Sequence, residues 1–129
     1  MNYYQSKTVK GDFDQVIEQV TNLLKDEGFG VLTEIDVKQT LKKKLDVDFK
    51  PYKILGACNP QFAYEAFKAE DKIGSLLPCN VIVIDQGDEK IEVAIMDAAA
   101  MMKMVGNAKL EEISAEVSIK LEKVLSKIN

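Results

Sequence analysis

Two dipeptides carry the most chemically suggestive side chains of this 129-residue chain: Cys58-Asn59 in "GACNP" and Cys79-Asn80 in "SLLPCNVIVI". They contain its only cysteines. A thiol beside a carboxamide can serve as a nucleophile, a soft-metal ligand or one wall of a ligand cradle. A cysteine on an apolar strand is equally a small core residue. Asn59 has a structural role in view, because Pro60 suits the first position of a helix that Asn59 would cap. Asn80 has none, since asparagine is disfavoured inside a strand and needs partners for its amide when buried. Cys58 directly precedes the capped helix start, where N–H groups and the helix dipole favour an anion, so a thiolate, persulfide or small anionic ligand would suit it. The expectation is a shallow ligand- or sulfur-binding pocket built from Cys58, Asn59, Cys79 and Asn80.

Carboxylates at strand ends offer a second chemistry. Glu34, Asp36, Asp85 and Asp97 could act as an acid and base pair if their environments separated their pKa values. Asp36 and Asp97 therefore join the candidate ligand-binding residues, although helix capping already accounts for Asp36. A metal is not expected: the two cysteines stand 21 residues apart, with no C-x₂-C pair and too few ligands for a closed zinc site. The thioethers of "MMKM" (101–104) could favour Cu(I) across a dimer, but methionines at helical spacing read first as core filler. "LKKKL" (41–45) reads as a helix turn with Leu41 and Leu45 facing inward together and three lysines in solvent.

The composition removes other chemistries. There is no histidine, so serine–histidine and cysteine–histidine catalysis within one chain are excluded. All seventeen basic residues are lysine and the net charge is −4, which lacks both the bidentate fork and the sign that nucleic-acid binding calls for. The opening "MNYYQSKTVK" has no apolar core of a signal peptide, and no apolar run approaches the ~20 residues of a membrane span. A cytoplasmic protein with reduced thiols and no membrane partner is expected.

The elements that must position these residues follow from periodicity. Residues 2–9 read as a first strand ending at Gly11. Asp12 and Gln15 form a capping signature for a helix with Phe13, Ile17, Val20 and Leu24 on one stripe, and Gly28 ends it. Phe29, Val31, Thr33 and Ile35 alternate as a second strand. Asp36 and Gln39 open a short helix with Val37, Leu41 and Leu45 on one face. "YKILGAC" (52–58) is a third strand, followed by a short helix from Pro60 whose face carries Phe62, Ala63, Ala66 and Phe67. "CNVIVID" and "KIEVAIM", joined by "QGDE", form a hairpin of strands buried on both faces. Asn107 then caps a long helix with Leu110, Ile113, Val117, Leu121, Val124 and Ile128 in line. This order predicts one α+β domain over residues 1–129, with a mostly antiparallel sheet and helices on one face. The uncovered side of such a sheet predicts a homodimer.

"GFGVLTEIDVKQTLKKKLDVDFKPYKILGACNP", "AYEAF" and "SLLPCNVIVI" together resemble the family known as domain of unknown function 302, over essentially the whole chain. The resemblance implies a strand, helix, four strands and helix of the TATA-binding-protein-like type, homodimers, and no established activity. Some relatives occur near sulfur-carrier and rhodanese-type proteins. Members tend to have Asp-Pro after the last strand, whereas Asp97 is followed here by Ala98-Ala99-Ala100, which predicts a more helical loop. The functional expectation is a small homodimeric binding module for a small molecule or protein partner, with sulfur or redox handling in view and the ligand and any cofactor open. The alternatives are a thiol-dependent enzyme using Cys58 or Cys79, and a structural dimer docking on another protein.

Overall fold

In the computed structural model, which describes residues 2–129, helix starts are set by side chains that accept from free backbone N–H groups. Asp12 accepts from Gln15 N at 3.1 Å and opens α1 (Phe13–Asp26). Asp36 accepts from Gln39 N at 2.8 Å and opens α2 (Val37–Leu45). Asn59 opens α3 (Pro60–Ala69), Asp97 opens α4 (Ala98–Lys103) and Asn107 opens α5 (Ala108–Lys127). Alternating residues form the strands β1 (Tyr4–Lys10), β2 (Gly30–Asp36), β3 (Tyr52–Cys58), β4 (Cys79–Asp85) and β5 (Lys90–Met96). Every strand pairing is antiparallel, in the order β1-β5-β4-β3-β2. The α+β architecture with a mostly antiparallel sheet is thus the observed one.

Strand alternation divides the sheet into two faces. One presents Val9, Leu55, Val81, Val83, Val93 and Ile95 to α1 and α5, whose Val20, Leu24, Leu121 and Val124 complete the main core. At about 1.5–3 kcal/mol for each fully buried aliphatic side chain, this interface is the principal source of stability. A second, smaller cluster of Ala66, Ile73, Met102 and Leu110 joins α3, α4 and the start of α5. Asn107 ties it together: its Nδ2 donates to Ala69 O at 3.0 Å while its Oδ1 accepts from Lys109 N at 2.9 Å.

Three local expectations change. The first strand runs from Tyr4 to Lys10 rather than over residues 2–9. Leu45 does not turn inward with Leu41; it is 67% exposed, because Asp46, at φ 54°, ends the helix there and leaves its last turn at the surface. A 3-10 helix, Asp71–Leu76, stands in a stretch to which the sequence pattern assigned no element, and its Ile73 anchors the smaller cluster. The triple alanine after Asp97 does form a helix, with Asp97 Oδ1 accepting from Ala100 N at 3.0 Å.

Candidate functional site

Between the two apolar clusters lies a cavity of about 340 Å³. Its floor is the end of the sheet, with Ala57 and Cys58 of β3 and Cys79 of β4. Ala63 and Ala66 of α3 line one side, and Leu110, Ser114 and Val117 of α5 the other. Small side chains on α3 leave the space open, because alanine reaches less far than the leucine or phenylalanine that would fill it. Leu32 and Phe67 line the cavity and are also 68% and 47% exposed, so they mark its mouth.

The local sequence explains how β3 ends there. A bulge between Val31 and Thr33 shifts the β2–β3 register and sets Thr33 opposite Gly56. A Cβ at position 56 would collide with Thr33 Oγ1 and lie 2.8 Å from Pro78 Cγ, so only glycine permits this approach. Gly28, at φ 87°, ends α1 against the side chain of Asn59, where a Cβ would stand 3.0 Å from Nδ2. Asn59 in turn accepts from Phe62 N at 3.4 Å.

The structure brings together Cys58, Asn59 and Cys79, all of which line the cavity. Cys79 pairs in register with Ala57, next to Cys58. Both cysteines are free thiols and partly buried. Burial pushes the Cys79 thiol up, with the neighbouring Cys58 adding to the effect, to about 11; it is therefore protonated at neutral pH.

The other candidates stand elsewhere. Asn80 is exposed, pairs with Gly56 and points to the opposite face from Cys79; it is not among the cavity's lining residues. Solvent satisfies its amide, so its place in a strand needs no buried partner. Asp36 lies at the far end of β2, opposite Lys53 rather than Cys58, and caps α2. Asp97 caps α4, and only its neighbour Ala98 reaches the cavity. Asp85 Oδ1 accepts from Gly87 N at 2.9 Å in the hairpin turn, and Glu34 pairs with Lys53 Nζ at 2.7 Å. Hydrogen bonding to Glu34 raises the Lys53 pKa against the opposing effect of burial. Each carboxylate thus has a structural partner, and no two of them share the cavity wall. Among the described residues no group of three or more cysteines and carboxylates could hold a metal ion.

Two polar lining residues were not anticipated. Thr33 is brought in by the bulge, which no alternation pattern foretells. Ser114 is 4% exposed and donates to Glu111 O at 3.1 Å. Its signal was present in the sequence as a hydroxyl inside the apolar stripe of α5, between Leu110 and Val117. Among the described residues no charged side chain lines the cavity, so it is an apolar chamber with a few hydroxyl, amide and thiol groups. Such chambers hold uncharged ligands, because an ion would lose its hydration without gaining a partner.

Fold and site together define an α+β protein with an apolar chamber walled by two thiols. The chain belongs to the family described as Domain of unknown function DUF302, whose model matches residues 5–128. A solved structure, the crystal structure of an uncharacterized conserved protein DUF302 from Bacillus stearothermophilus, is 28% identical, with 100% of both chains covered and a TM-score of 0.91. No curated protein matches the chain.

Proposed function

We propose that this protein is a small binding module that takes an uncharged, mainly apolar molecule into the chamber beside Cys58, Asn59 and Cys79. The observation that carries this reading is the chamber itself: about 340 Å³, apolar, open through Leu32 and Phe67, and without a charged lining residue among the described residues. An engineered apolar cavity of about 150 Å³ already binds benzene, so this volume accommodates a larger ring system or a short branched chain. The small anionic ligand suggested by the helix start is disfavoured, because among the described residues no lysine lines the space. Asn59 supplies an amide and Thr33 and Ser114 supply hydroxyls for one or two orienting hydrogen bonds. The thiols make sulfur or redox handling the matching physiological setting, in a reducing compartment such as the cytoplasm.

The reading includes a homodimer formed through the sheet face that α1 and α5 leave open. Support comes from that face's exposed apolar residues, Tyr4 at 39% and Ile35 at 47%, flanked by Ile54, which is half-buried, and by Ile82 beside it. Sedimentation of the wild-type protein and of Ile35→Lys tests it, with a dimer converted to monomer as the expected result.

Ligand binding is tested by titrating the protein with an uncharged fluorophore whose emission rises in apolar surroundings. Saturable binding at one site per chain, displaced by small uncharged aromatic compounds but not by their carboxylates, is expected. Equal displacement by both, or no saturable binding, refutes the reading.

A further inference from the structure

Cys58 and Cys79 reach one chamber from adjacent strands. Since Cys79 pairs with Ala57, Cys58 sits one residue along from direct opposition. Opposed Cα atoms in an antiparallel pair are ~4.5–5.5 Å apart and a strand rises ~3.4 Å per residue, so the diagonal separation is about 6 Å. That lies inside the ~4.4–6.8 Å that a disulfide spans. Diagonal neighbours in a regular sheet point to opposite faces; Cys58, however, is the last residue of β3, it lines the same chamber as Cys79, and it is close enough to add to the upward push on the Cys79 thiol.

We propose that Cys58 and Cys79 form a dithiol exchange centre that reduces an uncharged, hydrophobic disulfide held in the chamber, the two cysteines becoming an intramolecular disulfide. This rests on the chamber being a ligand site. Cys58 attacks one sulfur of the ligand disulfide; the ligand S–S bond breaks, a mixed disulfide forms on Cys58, and the first ligand thiol leaves with the proton that Cys58 gives up. Cys79 then attacks the Cys58 sulfur of the mixed disulfide. The Cys58–Cys79 bond forms, and the second ligand thiol departs with the Cys79 proton. Two thiols are oxidised and one disulfide is reduced to two thiols, so atoms and electrons balance; a small dithiol reductant reverses the change in the protein. The order follows from the environments: the Cys79 thiol is held protonated by burial, which keeps it unreactive until Cys58 has brought a sulfur beside it. The charge-free lining selects the substrate class.

The test uses the reduced full-length protein with two aryl disulfides, an uncharged dipyridyl disulfide and a bis(nitrobenzoate) disulfide. With the dipyridyl probe the wild type releases two thiopyridones per chain and retains no probe, its mass falling by two hydrogens. Cys79→Ala releases one and keeps half the probe on Cys58, while Cys58→Ala reacts far more slowly. The dicarboxylate reacts at least about tenfold more slowly than the dipyridyl compound, because its charges enter without partners. Wild-type protein that carries probe on both cysteines overturns the proposal, as do thiols silent until unfolding or equal rates with both probes; none of these needs a variant to fold. The fluorophore titration on the Cys58→Ala/Cys79→Ala double variant separates the two readings. Binding retained by the double variant while the wild type fails to exchange removes the exchange centre and leaves the ligand site standing; no binding by either protein removes both.

Discussion

Filling the chamber from α3 gives a quantitative check on whether it is an adapted space or an accident of packing. Ala66 is 7% exposed, lines the chamber, and packs in the cluster of Ile73, Met102 and Leu110. Ala66→Leu adds three carbons, which at about 0.8 kcal/mol per buried CH₂ contribute roughly 2.4 kcal/mol. Fixing the leucine rotamer costs about 0.5–1 kcal/mol, and the two residues have nearly equal helix propensity. The net expectation is a stabilisation of about 1.5–2 kcal/mol. Urea unfolding at constant slope reads this as a midpoint raised by roughly 1 M if the slope is near ~1.5–2 kcal/mol/M. The same variant should bind the apolar fluorophore at least about tenfold more weakly, since the added side chain occupies the ligand's volume. A variant destabilised by more than about 1 kcal/mol, with fluorophore affinity unchanged, would show that the space cannot accept added carbon and is not where the ligand sits.

Three further outcomes are expected. Gly56→Ala should lower stability by about 1–3 kcal/mol, because its Cβ meets Thr33 Oγ1 and Pro78 Cγ, and Thr33→Ala should recover part of the loss in a double-mutant cycle by urea unfolding. Raising pH should remove a contribution from Cys79. Its folded-state pKa is lifted from the ordinary 9.0 to about 11, so the stabilisation is complete below pH 9 and is lost progressively as pH climbs from there through about 11. Its size is on the order of 2–3 kcal/mol, read as the difference in pH dependence between wild type and Cys79→Ala in denaturant titrations. Asn59→Ala should cost about 0.5–1 kcal/mol through loss of the α3 cap, seen as a lower thermal midpoint; unchanged stability would mean that the 3.4 Å cap bond to Phe62 N contributes nothing.

Most elements were legible because their signals are local. Asp12, Asp36, Asn59 and Asn107 each announce a helix start, and each accepts a bond from the N–H two or three residues on. The alternation in "YKILGAC" marks Tyr52–Cys58 as a strand. Leu45 misled because period alone places a residue on a face without saying whether a partner lies beneath it. The 3-10 helix at Asp71–Leu76 has only six residues, too few for a hydrophobic period to repeat, and leaves no such trace. The site was half legible. Cys58 and Asn59 adjoin in sequence, and Cys79 joins them through the β3–β4 register, but period-two alternation turns Asn80, the neighbour of Cys79 inside a regular strand, to the other face. The chamber's volume depends on how far α3, α4 and α5 stand from the sheet, a tertiary distance that no single segment encodes.

The place of β1 beside β5 has a consequence for synthesis. Lys10 pairs with Lys90, so the opening strand has no partner until some eighty later residues have been translated, an interval of about 4–16 s at ~5–20 residues per second. Throughout it, Val16, Val20 and Leu24 of α1 also wait for α5, which emerges last. A nascent chain with that schedule presents sticky, half-made surface at the ribosome exit, and its yield in cells should depend on holdase chaperones more than its size suggests.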